Sequence, residues 1–258
     1  MAKVYNWPTC QPVLVREALK EHKSKNGNVV AVLKGFQVGP EDEALHEEYT
    51  REKMRKMKSF GFNCEVFDVR NYIGKEDQFF KDLKDFKTMM NGCGGQIYNF
   101  LTLFKLVGFE KLLWHFWEKQ DRAYVGVSCG ISALAQNIDG MHLDCDHTKE
   151  WNGQIIEDRT KGLGLTEDLL KQHMKCENQE FQKIAEEVAA YRKEKDLPTT
   201  LISDFTMYER DTVTDEECVW TAVKNLKKDK WEGFRHSFDV KNDRFGNYTQ
   251  TSLKTLDF

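Results

Sequence analysis

The sequence predicts an α/β protein with three layers, α/β/α, and a largely parallel central sheet. Three observations predict it. Short, β-prone apolar runs alternate with longer amphipathic stretches, the pattern of successive βαβ units. One such run, Ala123-Tyr124-Val125-Gly126-Val127, leads directly into Gly-x-Ser-x-Gly and then into an apolar, helix-compatible segment. The chain has 258 residues, of which 40% are apolar, enough to bury a sizeable core in one domain spanning 1–258.

Taken in order, strands are expected at 29–33, 64–69, 87–90, 123–127 and 200–203, with a late one near 234–240. A charged helix at 41–59 separates the first two and is expected to bury Leu45, Tyr49, Met54 and Met57. Ile97, Phe100, Leu101, Phe104 and Val107 fall at i, i+3, i+4, i+7 and i+10, one stripe of a helix over 97–117 that Gly108 bends or divides. A further helix at 177–195 turns Phe181, Ile184, Ala185 and Val188 inward, and Pro198 prevents it from running on.

Charge excludes some partners. The 38 Lys and Arg are interspersed with 42 Asp and Glu for a net charge of −4, so nothing in the field favours nucleic acid or an anionic membrane. No apolar run approaches ~18 residues, and the first residues lack an apolar signal core. The seven cysteines are scattered, odd in number and free of CxxC pairs, as expected for reduced thiols in a cytoplasmic protein.

Gly126-Val127-Ser128-Cys129-Gly130 has the layout of a nucleophile elbow. The tight strand-to-helix turn pushes the serine hydroxyl out of the sheet, and the glycines allow contacts that a Cβ would block. The N–H of Cys129 then faces an anionic oxygen at a helix start. A serine hydroxyl is a weak nucleophile near neutral pH, so Ser128 needs a base in reach and an acid to orient that base. Among the histidines, His22 and His46 lie on charged helices and His115 in an aromatic one, which reads as solvated or core-edge. His173 follows Gly162-Leu163-Gly164-Leu165, on a loop that could pass over Ser128; the alternative is a surface histidine ending a helix.

Two other clusters bear chemistry. Gly92-Cys93-Gly94-Gly95-Gln96 follows one strand and opens a helix, so its backbone N–H groups can approach a ligand oxygen, or it is a tight turn alone. It is neither a P-loop nor a dinucleotide fingerprint. His142-Leu143-Asp144-Cys145-Asp146-His147 offers ligands for a divalent metal, against the plainer reading of a solvated polar loop.

With the glycine cluster, the elbow and the Gly-Leu-Gly-Leu…His segment in this order, residues 28–210 resemble the dipeptidase E/cyanophycinase family of serine peptidases. Their fold is like that of class I glutamine amidotransferases. The resemblance implies Ser128 as nucleophile, His173 as base and Asp204, in Leu201-Ile202-Ser203-Asp204-Phe205-Thr206, as the acid. It implies an oxyanion hole from the N–H groups of Gly94 or Gly95 and Cys129. It also implies a small peptide substrate with an acidic residue before the scissile bond, and no cofactor. Gln96 would line the substrate site, and Arg159 is a candidate cation to meet an acidic side chain, the alternative being a solvated surface arginine. A homodimer stays open.

The departures from the family pattern are Cys129 for alanine, Asp204 for the more usual glutamate, Gln96 for asparagine, and Met174-Lys175-Cys176 where an aromatic and an arginine are often found. Other readings are a thiol enzyme using Cys129, a metal hydrolase built on His142 to His147, and a catalytically inert member of the family.

Overall fold

Val29-Val30-Ala31-Val32-Leu33 has no polar side to show to water, and the fold uses it as a strand covered on both faces. Val30 and Val32 point into one hydrophobic cluster, and Ala31 and Leu33 into another across the sheet. The computed structural model describes residues 2–8, 13–22, 29–35, 40–92, 96–119, 121–144, 158–174, 178–211, 217–225, 230–238 and 252–257.

In chain order the elements are β1 (Lys3–Asn6), α1 (Val13–Leu19), β2 (Val29–Lys34), α2 (Pro40–Ser59), β3 (Asn63–Asp68), α3 (Glu76–Leu83), β4 (Thr88–Asn91), α4 (Ile97–Leu106), α5 (Phe109–Glu118), β5 (Ala123–Gly126) and α6 (Cys129–Ser132). They continue as β6 (Leu169–Met174), α7 (Gln179–Glu194), β7 (Thr199–Ser203), β8 (Thr206–Asp211), β9 (Glu217–Asn225), β10 (Lys230–Phe238) and β11 (Ser252–Asp257). The main sheet has the order β11-β10-β9-β8-β1-β5-β4-β2-β3. Its β1-β5-β4-β2-β3 part is parallel, and beyond β1 an antiparallel run extends it. Strands β6 and β7 pair parallel in a separate two-stranded sheet. Among the described residues, no helix is long and apolar enough to cross a membrane.

Helices α1 and α2 cover one face through Leu14, Val15, Leu19 and Met57, while α3, α4 and α5 lie on the other and α7 packs on β6 and β7. Each large side chain buried this way contributes about 1.5–3 kcal/mol. Gly108 divides the aromatic helical stretch: at φ 66 it takes the left-handed conformation between α4 and α5. The expected inner face of α2 is only partly right. Met57 is buried, but Leu45 and Tyr49 are 46% and 44% exposed, because the packing against the sheet involves the C-terminal part of this long helix. Likewise Ala185 and Val188 face inward from α7, whereas Phe181 is exposed at the start of that helix.

The platform carrying β6 and β7 is fastened by Arg192, which is fully buried on α7. Its guanidinium donates to Thr199 Oγ1 (2.7 Å), Asn137 Oδ1 (3.2 Å), and the carbonyls of Asp139 (2.6 Å) and Pro198 (2.8 Å). Burial pulls its pKa down to about 10 against the opposing pull of Asp139 and Asp168, so it stays charged at neutral pH. Arg192→Leu strands those acceptors in the interior. It is expected to cost about 3 kcal/mol or more, read as a lower urea midpoint with unchanged slope.

Candidate active site

Strand β5 ends at Gly126, α6 begins at Cys129, and Ser128 between them sits at φ 49, ψ −117. Positive φ at a non-glycine residue costs about 1–3 kcal/mol and persists only where the surroundings impose it. Here they do. A Cβ on Gly126 would lie 2.7 Å from Ile131 Cβ, and one on Gly130 would overlap the amide of Asn91. That amide grips the elbow from β4: Nδ2 donates to Val127 O (2.9 Å) and Oδ1 accepts from Val127 N–H (2.6 Å). Tyr124 donates its hydroxyl to Gly130 O (3.1 Å), and burial raises its pKa so that the proton stays in place. The turn is thus held from three sides.

His173 lies near the end of β6, on a strand rather than on the loop expected from the sequence. Its φ of 75 accompanies a register shift in the β6–β7 pairing between Lys171 and Met174. Such an irregularity re-aims a side chain at the rim of a sheet. The imidazole Nε2 is 3.0 Å from Ser128 Oγ, and Nδ1 is 3.1 Å from Asp204 Oδ2. A carboxylate can only accept, so Nδ1 carries the proton and Nε2 is left as acceptor for the serine O–H. Asp204 is buried at the end of β7, where its N–H donates to Met174 O (3.2 Å), tying it to the strand of the histidine. The shorter aspartate therefore reaches the ring. Its other oxygen, Oδ1, has no hydrogen-bond partner among the described residues. The Phe181 ring lies 5.3 Å from the imidazole at 40°, covering part of it from water.

Two residues at the site were not singled out by the sequence. Asn91 is the elbow clamp already described. Gln172, beside the histidine, accepts Ser128 N–H on Oε1 (2.6 Å) and donates from Nε2 to Trp7 O (3.1 Å). Buried amides follow no periodicity, so no pattern flags them; their places at the end of a buried strand and before a candidate base were the available signals.

The remaining candidates divide. Gly94 and Gly95 lie outside the described residues. Gln96 caps the start of α4, half-buried, with its Oε1 buried and unpartnered among the described residues. The Arg159 guanidinium stacks over Tyr98 in the first turn of α4, 5.7 Å from the ring centre. Cys129 is buried as a member of the larger hydrophobic cluster. Of the histidine and aspartate run, Cys145, Asp146 and His147 lie outside the described residues. His142 packs edge-on to Tyr191, and Asp144 accepts from the buried Lys171 ammonium. Among the described residues, no three His, Cys, Asp or Glu gather as a metal site.

No protein-family model matches the chain, and no curated protein matches it in sequence. Solved structures do match in three dimensions. A protein named as a peptidase E, from Listeria monocytogenes EGD-e, superposes with a TM-score of 0.62 at 18% identity, over 81% of this chain and 94% of its own. A peptidase from an acI-B1 actinobacterium superposes with a TM-score of 0.62 at 13% identity, over 100% of this chain and 97% of its own. The chain therefore has a peptidase E-like, three-layer α/β/α fold.

Proposed function

We propose that the chain is a serine peptidase of small peptides, working through Ser128, His173 and Asp204 and an acyl-enzyme. One observation carries the reading: a serine hydroxyl on a strained elbow lies 3.0 Å from an imidazole nitrogen whose other nitrogen faces a buried carboxylate. Ser128 Oγ attacks the scissile carbonyl as Nε2 takes its proton, and Asp204 holds the tautomer and stabilises the imidazolium. The oxyanion falls to the N–H groups of Cys129 and of Gly94 or Gly95. The N–H of Ser128 itself is taken by Gln172. Each such donor is typically worth about 3 kcal/mol in the transition state. His173 then protonates the leaving amine and activates the water that resolves the acyl-enzyme.

The family resemblance and the peptidase names of the structural neighbours support a peptide substrate. Within this reading an acidic side chain precedes the scissile bond and meets Arg159, with Gln96 at the edge of the site. Amine release from a panel of Asp-X, Glu-X and Ala-X dipeptides tests it. The wild type is expected to cleave the acidic members, with or without a chelator, and Ser128→Ala to cleave none. Turnover that survives Ser128→Ala overturns the proposal.

A further inference from the structure

We infer that Gln172 is a positioning residue: it sets the distance between the nucleophile and the base by bolting the Ser128 amide to the carbonyl of Trp7. The inference rests on the serine-peptidase reading. Ser128 and His173 belong to different sheets, since the elbow follows β5 of the main sheet and the imidazole stands on β6 of the two-stranded one. No strand ladder joins β6 to β5, so the 3.0 Å between hydroxyl and imidazole depends on contacts that cross between the sheets. Ser132 Oγ makes one such contact by donating to Leu170 O (2.7 Å). Gln172 makes the one that reaches Ser128 itself.

The geometry suits an amide and nothing else of that size. Gln172 is 1% exposed, adjoins His173 in the chain, and satisfies both ends of its amide at once. Oε1 takes the serine N–H, and Nε2 gives a proton to Trp7 O. The N–H of Trp7 in turn donates to Gly126 O (2.8 Å), which closes a ring through β1, the elbow and β6. The two partners demand opposite polarity, which fixes the amide orientation. Glutamate keeps the acceptor but turns a carboxylate oxygen toward a carbonyl; methionine, similar in length, removes both bonds. Holding Ser128 by its N–H also steadies a backbone conformation that the residue would otherwise leave. A nucleophile misplaced by 1 Å can lose about 100-fold in rate.

The test uses a fluorophosphonate, whose phosphorus bonds to the serine oxygen as fluoride leaves and the base takes the hydroxyl proton. Inactivation of the full chain is resolved into Ki and kinact, with circular dichroism confirming folded protein. Gln172→Met is expected to lower kinact by about 10- to 100-fold with Ki within about 2-fold, and Gln172→Glu by about 10-fold. Because Gln172 works through the serine–imidazole distance, adding Gln172→Met to His173→Ala is expected to cost less than about 2-fold more. A wild-type kinact in either variant overturns the inference alone, as does a loss lying wholly in Ki or one that multiplies with His173→Ala. If the wild type itself is not modified, the serine-peptidase reading falls and the inference with it.

Discussion

His173→Ala is expected to lower kcat by about 10⁶-fold, and Asp204→Asn by about 10⁴-fold with little change in KM. The two losses differ because the groups act differently. Among the described residues, His173 is the base within hydrogen-bond reach of Ser128 Oγ, so without the imidazole no described group takes the serine proton. With asparagine at 204 the ring remains, but an amide N–H would point at Nδ1 and drive the ring proton to Nε2. That nitrogen would then donate toward Ser128 Oγ, the reverse of what attack requires. The 3.0 Å and 3.1 Å contacts would survive as distances while losing their polarity. Steady-state kinetics on a cleaved dipeptide checks both, and kcat and kcat/KM are expected to fall together, since the lost interaction belongs to the transition state.

Gly130→Ala carries the largest expected effect on the fold. The new Cβ would occupy the space of the Asn91 amide, which is buried and committed at both ends to Val127. Moving it breaks two buried hydrogen bonds and leaves the Val127 N–H and C=O unsatisfied, a cost of about 3 kcal/mol or more. The same movement frees the elbow, so activity is expected to fall with stability. Equilibrium urea unfolding measures the first. In an Asn91→Ala background the amide atoms nearest the new Cβ are removed, and Gly130→Ala is expected to cost markedly less than in the wild type.

How far the sequence could be read follows from which residues obey a period. Strands β2, β4 and β5 are covered on both faces, so they stand out as short apolar runs. The elbow was legible because its two glycines answer a steric demand that no other residue meets. The resemblance brought Ser128, His173 and Asp204 together as candidates, and the fold sets these three side chains in hydrogen-bond contact.

Strand β6 was hidden. Leu169-Leu170-Lys171-Gln172-His173-Met174 puts three polar residues in a row, and the buried Lys171 is tolerated only because Asp144, far away in sequence, pairs with it. Its register irregularity is a tertiary feature, so His173 read as a loop residue. Phe181 fitted a helical stripe yet lies over the imidazole, because the first turn of α7 rises beside the site rather than over the core. The antiparallel β8 to β11 extension was mostly unseen, apart from the expected late strand that corresponds to β10. Asn91 and Gln172 matter through pairs of buried hydrogen bonds that only the folded chain brings into being.

The most direct measurement is peptide mapping by mass spectrometry after treatment with diisopropyl fluorophosphate. One phosphoryl adduct is expected, on Ser128, and it forms far more slowly in His173→Ala; an adduct confined to another residue, or none on the folded wild type, would contradict the serine-peptidase reading.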